Sequence, residues 1–185
     1  FELITRNTAG SNNLFTNFTS ISSSKEKSSY YGYVNYKIGD GFRPNSEFES
    51  INTFQNFNYN LSDKSNITAE ITYMEYLAHQ AGGLSDFMFA NDPFQSNRER
   101  NWFEIKWFLY NLKYLLEISE NSSFSFSFFG LDAKRNSLGF RTNRVDQIDY
   151  GEERDLIKGN FKNFGFYKLI YLGENSAEYV FFGPF

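Results

Sequence analysis

The clearest pattern in this chain is strict alternation. Ser123-Phe124-Ser125-Phe126-Ser127-Phe128 puts every second side chain on one face, a period that only an extended strand produces. On a helix the same phenylalanines would scatter around the circumference. Asn66 to Leu77 behaves alike: Ile67, Ala69, Ile71, Tyr73 and Leu77 share a face, opposed by Asn66, Thr68, Glu70 and Thr72. In Ser28 to Ile38, Tyr30, Gly32, Val34, Tyr36 and Ile38 face away from Ser29, Asn35 and Lys37. Asn52 to Leu61 sets Phe57, Tyr59 and Leu61 against Asn56, Asn58 and Asn60. Leu14 to Ile21, Phe161 to Leu172 and Ala177 to Phe182 read as further strands. Trp102 to Ser119 is longer and changes phase, with odd positions apolar through Leu109 and even ones from Tyr110 on. That change predicts a β-bulge near Phe108.

Together these segments predict an all-β, antiparallel fold of about eight long strands. The connections alternate in length. Short polar turns fall at Lys25-Glu26-Lys27, Ser62-Asp63-Lys64, Glu120-Asn121-Ser122 and Gly173-Glu174-Asn175. Long connections run from Asp40 to Glu49, from His79 to Asn101 and from Asp132 to Asn160. At ~3.3 Å per residue and a tilt near 45°, about eleven residues rise about 25 Å, the apolar height of an outer-membrane barrel. The pattern therefore predicts a transmembrane β-barrel, with short periplasmic turns and long extracellular loops.

Composition sharpens this expectation. The 185 residues include 23 Phe and 13 Tyr, yet the mean hydropathy is −0.52. An AT-rich codon usage would raise Phe, Tyr and Asn together, but it would not place them on alternate strand positions. A lipid-facing sheet does place them so, and its wet face keeps the average polar. No apolar run approaches the ~18 to 20 residues of a membrane helix. The first residues lack the basic and apolar regions of a signal peptide. With no Cys and a single His, thiolate metal sites and histidine-based catalysis are excluded or disfavoured. A net charge of −4 argues against a nucleic-acid partner.

Candidate chemistry lies in the arginines. All but Arg6 fall in the segments read as loops or their edges: Arg43, Arg98, Arg100, Arg135, Arg141, Arg144 and Arg154. Guanidinium forks bind carboxylates bidentately and stay charged, so an arginine-lined mouth suits a polycarboxylate or an anionic metal chelate. Arg43, Gln80, Gln95, Asn97, Arg98, Arg100, Arg141 and Arg144 are the candidate ligand contacts. The competing reading pairs these arginines with Glu99, Asp146, Glu152, Glu153 and Asp155, or with acidic lipid headgroups. His79 reads as a hydrogen-bonding residue at a strand end. Glu70 and Glu75 differ by five along a strand and face opposite sides, so they are no catalytic pair. No convergent acid–base or nucleophile set appears, and the chain is not expected to be an enzyme.

The loops also carry a resemblance. In order come Gly39-Asp40-Gly41-Phe42-Arg43-Pro44-Asn45-Ser46, then Gln80-Ala81-Gly82-Gly83-Leu84-Ser85-Asp86, then Asp92-Pro93-Phe94-Gln95-Ser96-Asn97-Arg98 and Arg100-Asn101-Trp102-Phe103. Leu138-Gly139-Phe140-Arg141-Thr142-Asn143-Arg144-Val145, Arg154-Asp155-Leu156-Ile157 and Asn163-Phe164-Gly165 follow. From about Leu14 to Leu172 this series resembles the barrel of TonB-dependent outer-membrane receptors of the ferric-citrate-receptor-like group. Ala81, where proline is expected before the double glycine, departs from it, as does the end Phe181-Phe182-Gly183-Pro184-Phe185. The resemblance implies a plugged barrel of about 22 strands in the bacterial outer membrane. Such a receptor imports ferric citrate or another ferric siderophore, with energy from the TonB complex. Iron would be cargo inside the chelate, and no resident cofactor is implied. Residues 1–185 would then form part of the barrel domain, with the plug domain and the TonB box outside them. Two alternatives compete: a complete eight-stranded outer-membrane barrel with a structural or adhesion role, and a soluble all-β carbohydrate-binding domain.

Overall fold

The computed structural model describes residues 1–139, 156–172 and 175–182, with side chains described for residues 1–139. The chain runs β1 (Glu2–Ala9), β2 (Phe15–Ser24), β3 (Ser28–Gly39), β4 (Phe48–Ser62), β5 (Ser65–His79), α1 (Asp86–Asn91), β6 (Trp102–Ser119), β7 (Ser122–Leu138), β8 (Leu156–Leu172) and β9 (Asn175–Phe182). The fold is all-β. Each strand pairs antiparallel with its sequence neighbours, forming one nine-stranded sheet in simple order from β1 to β9. Among the described residues β1 pairs only with β2 and β9 only with β8, so the sheet is open.

The strand count exceeds the eight expected because β1 escapes the pattern. Glu2–Ala9 spans only 8 residues, nearly all exposed, and carries few apolar positions to mark a face. The third long connection is also shorter than expected, since β7 continues through Leu138 and β8 starts at Leu156. Arg135 thus belongs to a strand rather than a loop. The run Asp132-Ala133-Lys134-Arg135-Asn136, with a single small apolar residue among charged and polar ones, hides that strand from an apolar pattern.

The bulge predicted near Phe108 does not occur. β6 holds one register with β5 from His79 opposite Trp102 to Ser65 opposite Leu116. It holds one with β7 from Leu138 opposite Trp102 to Ser123 opposite Glu117. Register shifts sit instead beside two tight turns, between Asn60 and Ser62 and between Glu117 and Ser119. The phase change in β6 is therefore a real exchange of which face is apolar.

Register fixes two faces. Face A carries Asn56, Asn58 and Asn60 of β4, Asn66, Thr68 and Glu70 of β5, Asn111 and Lys113 of β6, and Ser123, Ser125 and Ser127 of β7. These lie in the half of the sheet nearest the tight turns. Opposite them, face B carries Phe57 and Tyr59, then Ile67, Ala69, Ile71 and Tyr73. Its apolar surface continues through Phe108, Tyr110, Leu112, Tyr114 and Leu116 to Phe124, Phe126 and Phe128. Nearer the long loops the senses reverse. There face A holds Phe54, Met74, Tyr76, Phe103, Ile105, Trp107, Leu109, Leu131 and Ala133. Face B holds Glu49, Glu75, Glu104, Lys106, Asp132 and Lys134, interrupted by Ile51 and Leu77.

No second layer covers either face among the described residues. Among the described side chains the buried apolar set is Ala78, Ala81, Ala133 and Leu138, and no large one is fully buried. Leu112 is 46% exposed, Phe57 46% and Ile71 41%, all on face B. An apolar sheet face is ordinarily buried against another layer, and among the described residues no such layer is present.

Candidate functional site

The two ends of the sheet are built differently. At one end lie the β2–β3, β4–β5 and β6–β7 turns, each a few residues long. Between the first two, an open recess of about 670 Å³ is lined by Glu26, Lys27, Asn60, Asp63, Lys64 and Glu117, among others. At the other end, the β1–β2 turn and the β3–β4 and β5–β6 loops are tied to one another. Asn12 and Asn13 adopt left-handed backbone at the β1–β2 turn, and the Asn12 carbonyl accepts from the Asp40 N–H at 2.9 Å. The His79 N–H donates to the Glu47 carbonyl at 2.8 Å, and the Gln80 N–H to the Asn101 carbonyl at 2.9 Å.

Asn45 is the hub of this end. Its side-chain amide lies within reach of the carbonyls of Gln80 at 3.2 Å, Asn101 at 3.1 Å and Arg98, joining the β3–β4 loop to both ends of the β5–β6 loop. Arg43 donates through Nη2 to the Gly82 carbonyl at 2.8 Å. Asn97 donates to the Gly83 carbonyl at 2.7 Å, and its N–H to the Ala81 carbonyl at 3.1 Å. The double-glycine segment is held by close approach. Gly82 has φ +80°, and a Cβ there would collide with Asn97 Oδ1 and Arg98 Cγ, so only glycine fits.

Within the β5–β6 loop, α1 is a single capped turn and a half. The Ser85 hydroxyl accepts from the Met88 N–H, while Gln95 Nε2 donates to the carbonyls of Met88 at 2.7 Å and Asp92 at 2.9 Å. The turn holds Phe87 and Phe89 outward, 75% and 60% exposed, and Phe42 and Phe94 in the loops of the same end are exposed as well.

The structure thus brings Arg43, Gln80, Asn97 and Arg98 into one loop assembly, where one guanidinium nitrogen of Arg43 and the side-chain amide of Asn97 donate to loop carbonyls. Arg98 Nη1 reaches the Asn97 carbonyl at 2.9 Å. Gln80 is exposed, Gln95 closes α1, and Arg100 is half-buried beside the β6 start. Arg141, Arg144 and Arg154 lie outside the described residues. Sequence reasoning that followed charge missed the exposed phenylalanines. Their clustering in Asp86–Phe94 and at Phe42 was the available signal.

Below the loops, the charged half of face B forms a chain of contacts. The Lys106 ammonium pairs with Glu75 and lies 3.5 Å from Glu104, whose other oxygen accepts from Asn136 at 2.6 Å. Tyr73 donates to Glu75 at 2.8 Å, and Tyr36 to Glu49 at 2.9 Å. His79 stands 3.3 Å from Glu47 at the strand end. On face A the turn-proximal half carries two amide clusters. Glu70 accepts from Asn56 at 2.9 Å on one oxygen and from Asn111 at 3.1 Å on the other. Asn58 donates to Thr68 at 3.1 Å, and Asn66 to Asn60 at 2.8 Å. At the exchange point Gly130 is required by contact, because a Cβ there would meet the Tyr110 hydroxyl and ring. Tyr110 can then lie 5.5 Å from Phe128 and 5.9 Å from Phe108, ring centre to ring centre.

No cluster of His, Asp or Glu able to hold a metal ion occurs among the described residues. No protein-family model matches the chain, and no curated protein matches it.

Proposed function

We propose that this chain is part of the barrel wall of an outer-membrane, TonB-dependent receptor that imports a ferric chelate. The observation that carries this reading is the turn-proximal half of the sheet. One of its faces is apolar and free of charge from β4 to β7, and the other is an amide and hydroxyl network. Along β6 the apolar positions extend from Phe108 to the exposed Ile118, about 33 Å of strand or about 23 Å of height at a tilt near 45°. That is close to the apolar height of outer-membrane barrels. Face B would then meet lipid and face A a wet lumen, and the tight turns would face the periplasm.

The loop end would stand outside the membrane. Its charged face B would meet lipid headgroups, and its tied loops would shape the mouth that captures the ligand. Opening the lumen belongs to a plug driven by the TonB complex, in other parts of such a receptor. Nine strands with two unpaired edges give no support to a self-closed eight-stranded barrel. Among the described residues no second sheet is present, as a sandwich would need.

The chain contains no Cys, so single-cysteine variants label cleanly. In lipid vesicles, Leu112→Cys is expected to react with a lipid-soluble maleimide and resist a charged one. Asn111→Cys, one residue away on face A, is expected to react with both. Equal reaction of both positions with the charged reagent would overturn the membrane reading.

A further inference from the structure

We propose that the loop-proximal half of face A binds an anion carrying a flat aromatic or apolar body. That this ligand is the cargo rests on the receptor reading, but the binding surface itself needs only the sheet.

The first support is an apolar surface where a wet wall would carry polar groups. Register sets Phe103, Ile105, Trp107 and Leu109 between Ala78, Tyr76, Met74 and Thr72 on one side and Ser137, Arg135, Ala133 and Leu131 on the other. Lipid does not explain these residues, because they share face A with the amide network below them. No second layer packs over them among the described residues; only the Arg135 side chain, from the same face, lies over one of the rings. The Tyr76 and Phe103 rings lie 6.3 Å apart and tilted, forming a wall of aromatic edges and faces. Trp107 adds a buried indole N–H with no acceptor among the described residues.

The second support is the sorting of charge. In the loop-proximal half, face A carries Arg6, Lys37 and Arg135 and no Asp or Glu. The acids of that half, Glu49, Glu75, Glu104 and Asp132, all point to face B. Lys37 and Arg135 even share one cross-strand row, through Ser50, Tyr76 and Ile105. An anion entering from the loops therefore meets a cationic wall.

The third support couples the two. The Arg135 guanidinium stands over the Phe103 ring, 5.1 Å from its centre. A guanidinium stacked on a ring keeps its N–H edge available, so it can hold an anionic group while the neighbouring rings cover an apolar one. Citrate has carboxylates for Arg135 but no flat body to cover Trp107, Leu109 and Leu131. The chemistry therefore favours an aromatic anion over ferric citrate.

Calorimetry on the full chain refolded in detergent micelles tests this with three probes: 1-naphthoate, neutral 1-naphthalenemethanol and citrate. Naphthoate is expected to bind at least about tenfold more tightly than either of the others. Arg135→Gln should lower naphthoate affinity about tenfold and leave naphthalenemethanol unchanged. Trp107→Ala should weaken both aromatic probes, with Trp107→Phe as the milder variant should the first not fold. Leu112→Ala on face B should change none of them, which separates binding from partition into the micelle. Citrate binding as tightly as naphthoate, or naphthoate affinity unmoved by Arg135→Gln, would overturn the assignment. Either result leaves the labelling of Leu112→Cys untouched, so the receptor reading stands or falls separately.

Discussion

The turn-proximal and loop-proximal halves of β4–β7 share the same strands and hold one register from half to half, shifting only beside the tight turns, yet they sort polarity in opposite senses. Below the exchange at Leu109 and Tyr110, face B is apolar and face A is amide. Above it, face A is aromatic and face B is charged. Alternation is a local property of the strand, so a strand can serve two environments simply by changing which parity is apolar. No bulge is needed, because the backbone hydrogen bonds are indifferent to the side chains they carry. Tyr110 over Gly130 marks the boundary, where a ring from one strand fills the space left by the next.

The largest test of this contrast is a charge placed on face B. In lipid vesicles, Leu112→Arg should cost about 2–4 kcal/mol and Ile51→Arg about 0–1 kcal/mol, by urea unfolding. Equal penalties would erase the distinction between the halves. Next is the amide network, where Glu70→Ala leaves Asn56 and Asn111 without their acceptor. A loss of about 1–3 kcal/mol is expected in the same assay, partly recovered by Glu70→Gln. Asn45→Ala should act locally, with a loss of about 1 kcal/mol. Hydrogen exchange should quicken across residues 80–101 while β5 and β6 keep their protection. If the sheet opens too, the loop lock is part of the fold rather than an addition to it. The smallest effect belongs to the exposed ion pairs of face B, where Lys106→Met should cost about 0.2–1 kcal/mol and less at high salt.

Much of the sheet was legible in the sequence, because a period of two survives wherever one parity is apolar. β3, β4, β5 and the turn-proximal part of β7 announce themselves in that way. β1 and the segment Asp132–Leu138 do not, since neither parity there is apolar enough to mark a face. β6 showed its length but suggested a bulge, because one strand alone cannot tell an extra residue from an exchange of faces. Only the cross-strand partners decide between them. At the loop end, the residue types pointed to Arg43, Asn97 and Arg98, and the structure does bring them together. It also shows their polar groups bound to carbonyls of Gly82, Gly83 and Asn97, which spacing along a chain cannot reveal. Arg135 was read as a loop arginine and Trp107 was not singled out, for the converse reason: their shared surface exists only once β6 and β7 are aligned.

The neighbours-only strand order has a kinetic consequence. β2–β3, β4–β5 and β6–β7 are each closed by a turn of a few residues, so each hairpin can zip from its turn within about microseconds. Joining hairpins then requires only that adjacent edges meet, never that a strand thread between two others. Growth by whole hairpins leaves every existing register unchanged. A gene encoding such a sheet can therefore lengthen or shorten in hairpin-sized steps, each addition finding an edge already waiting for it.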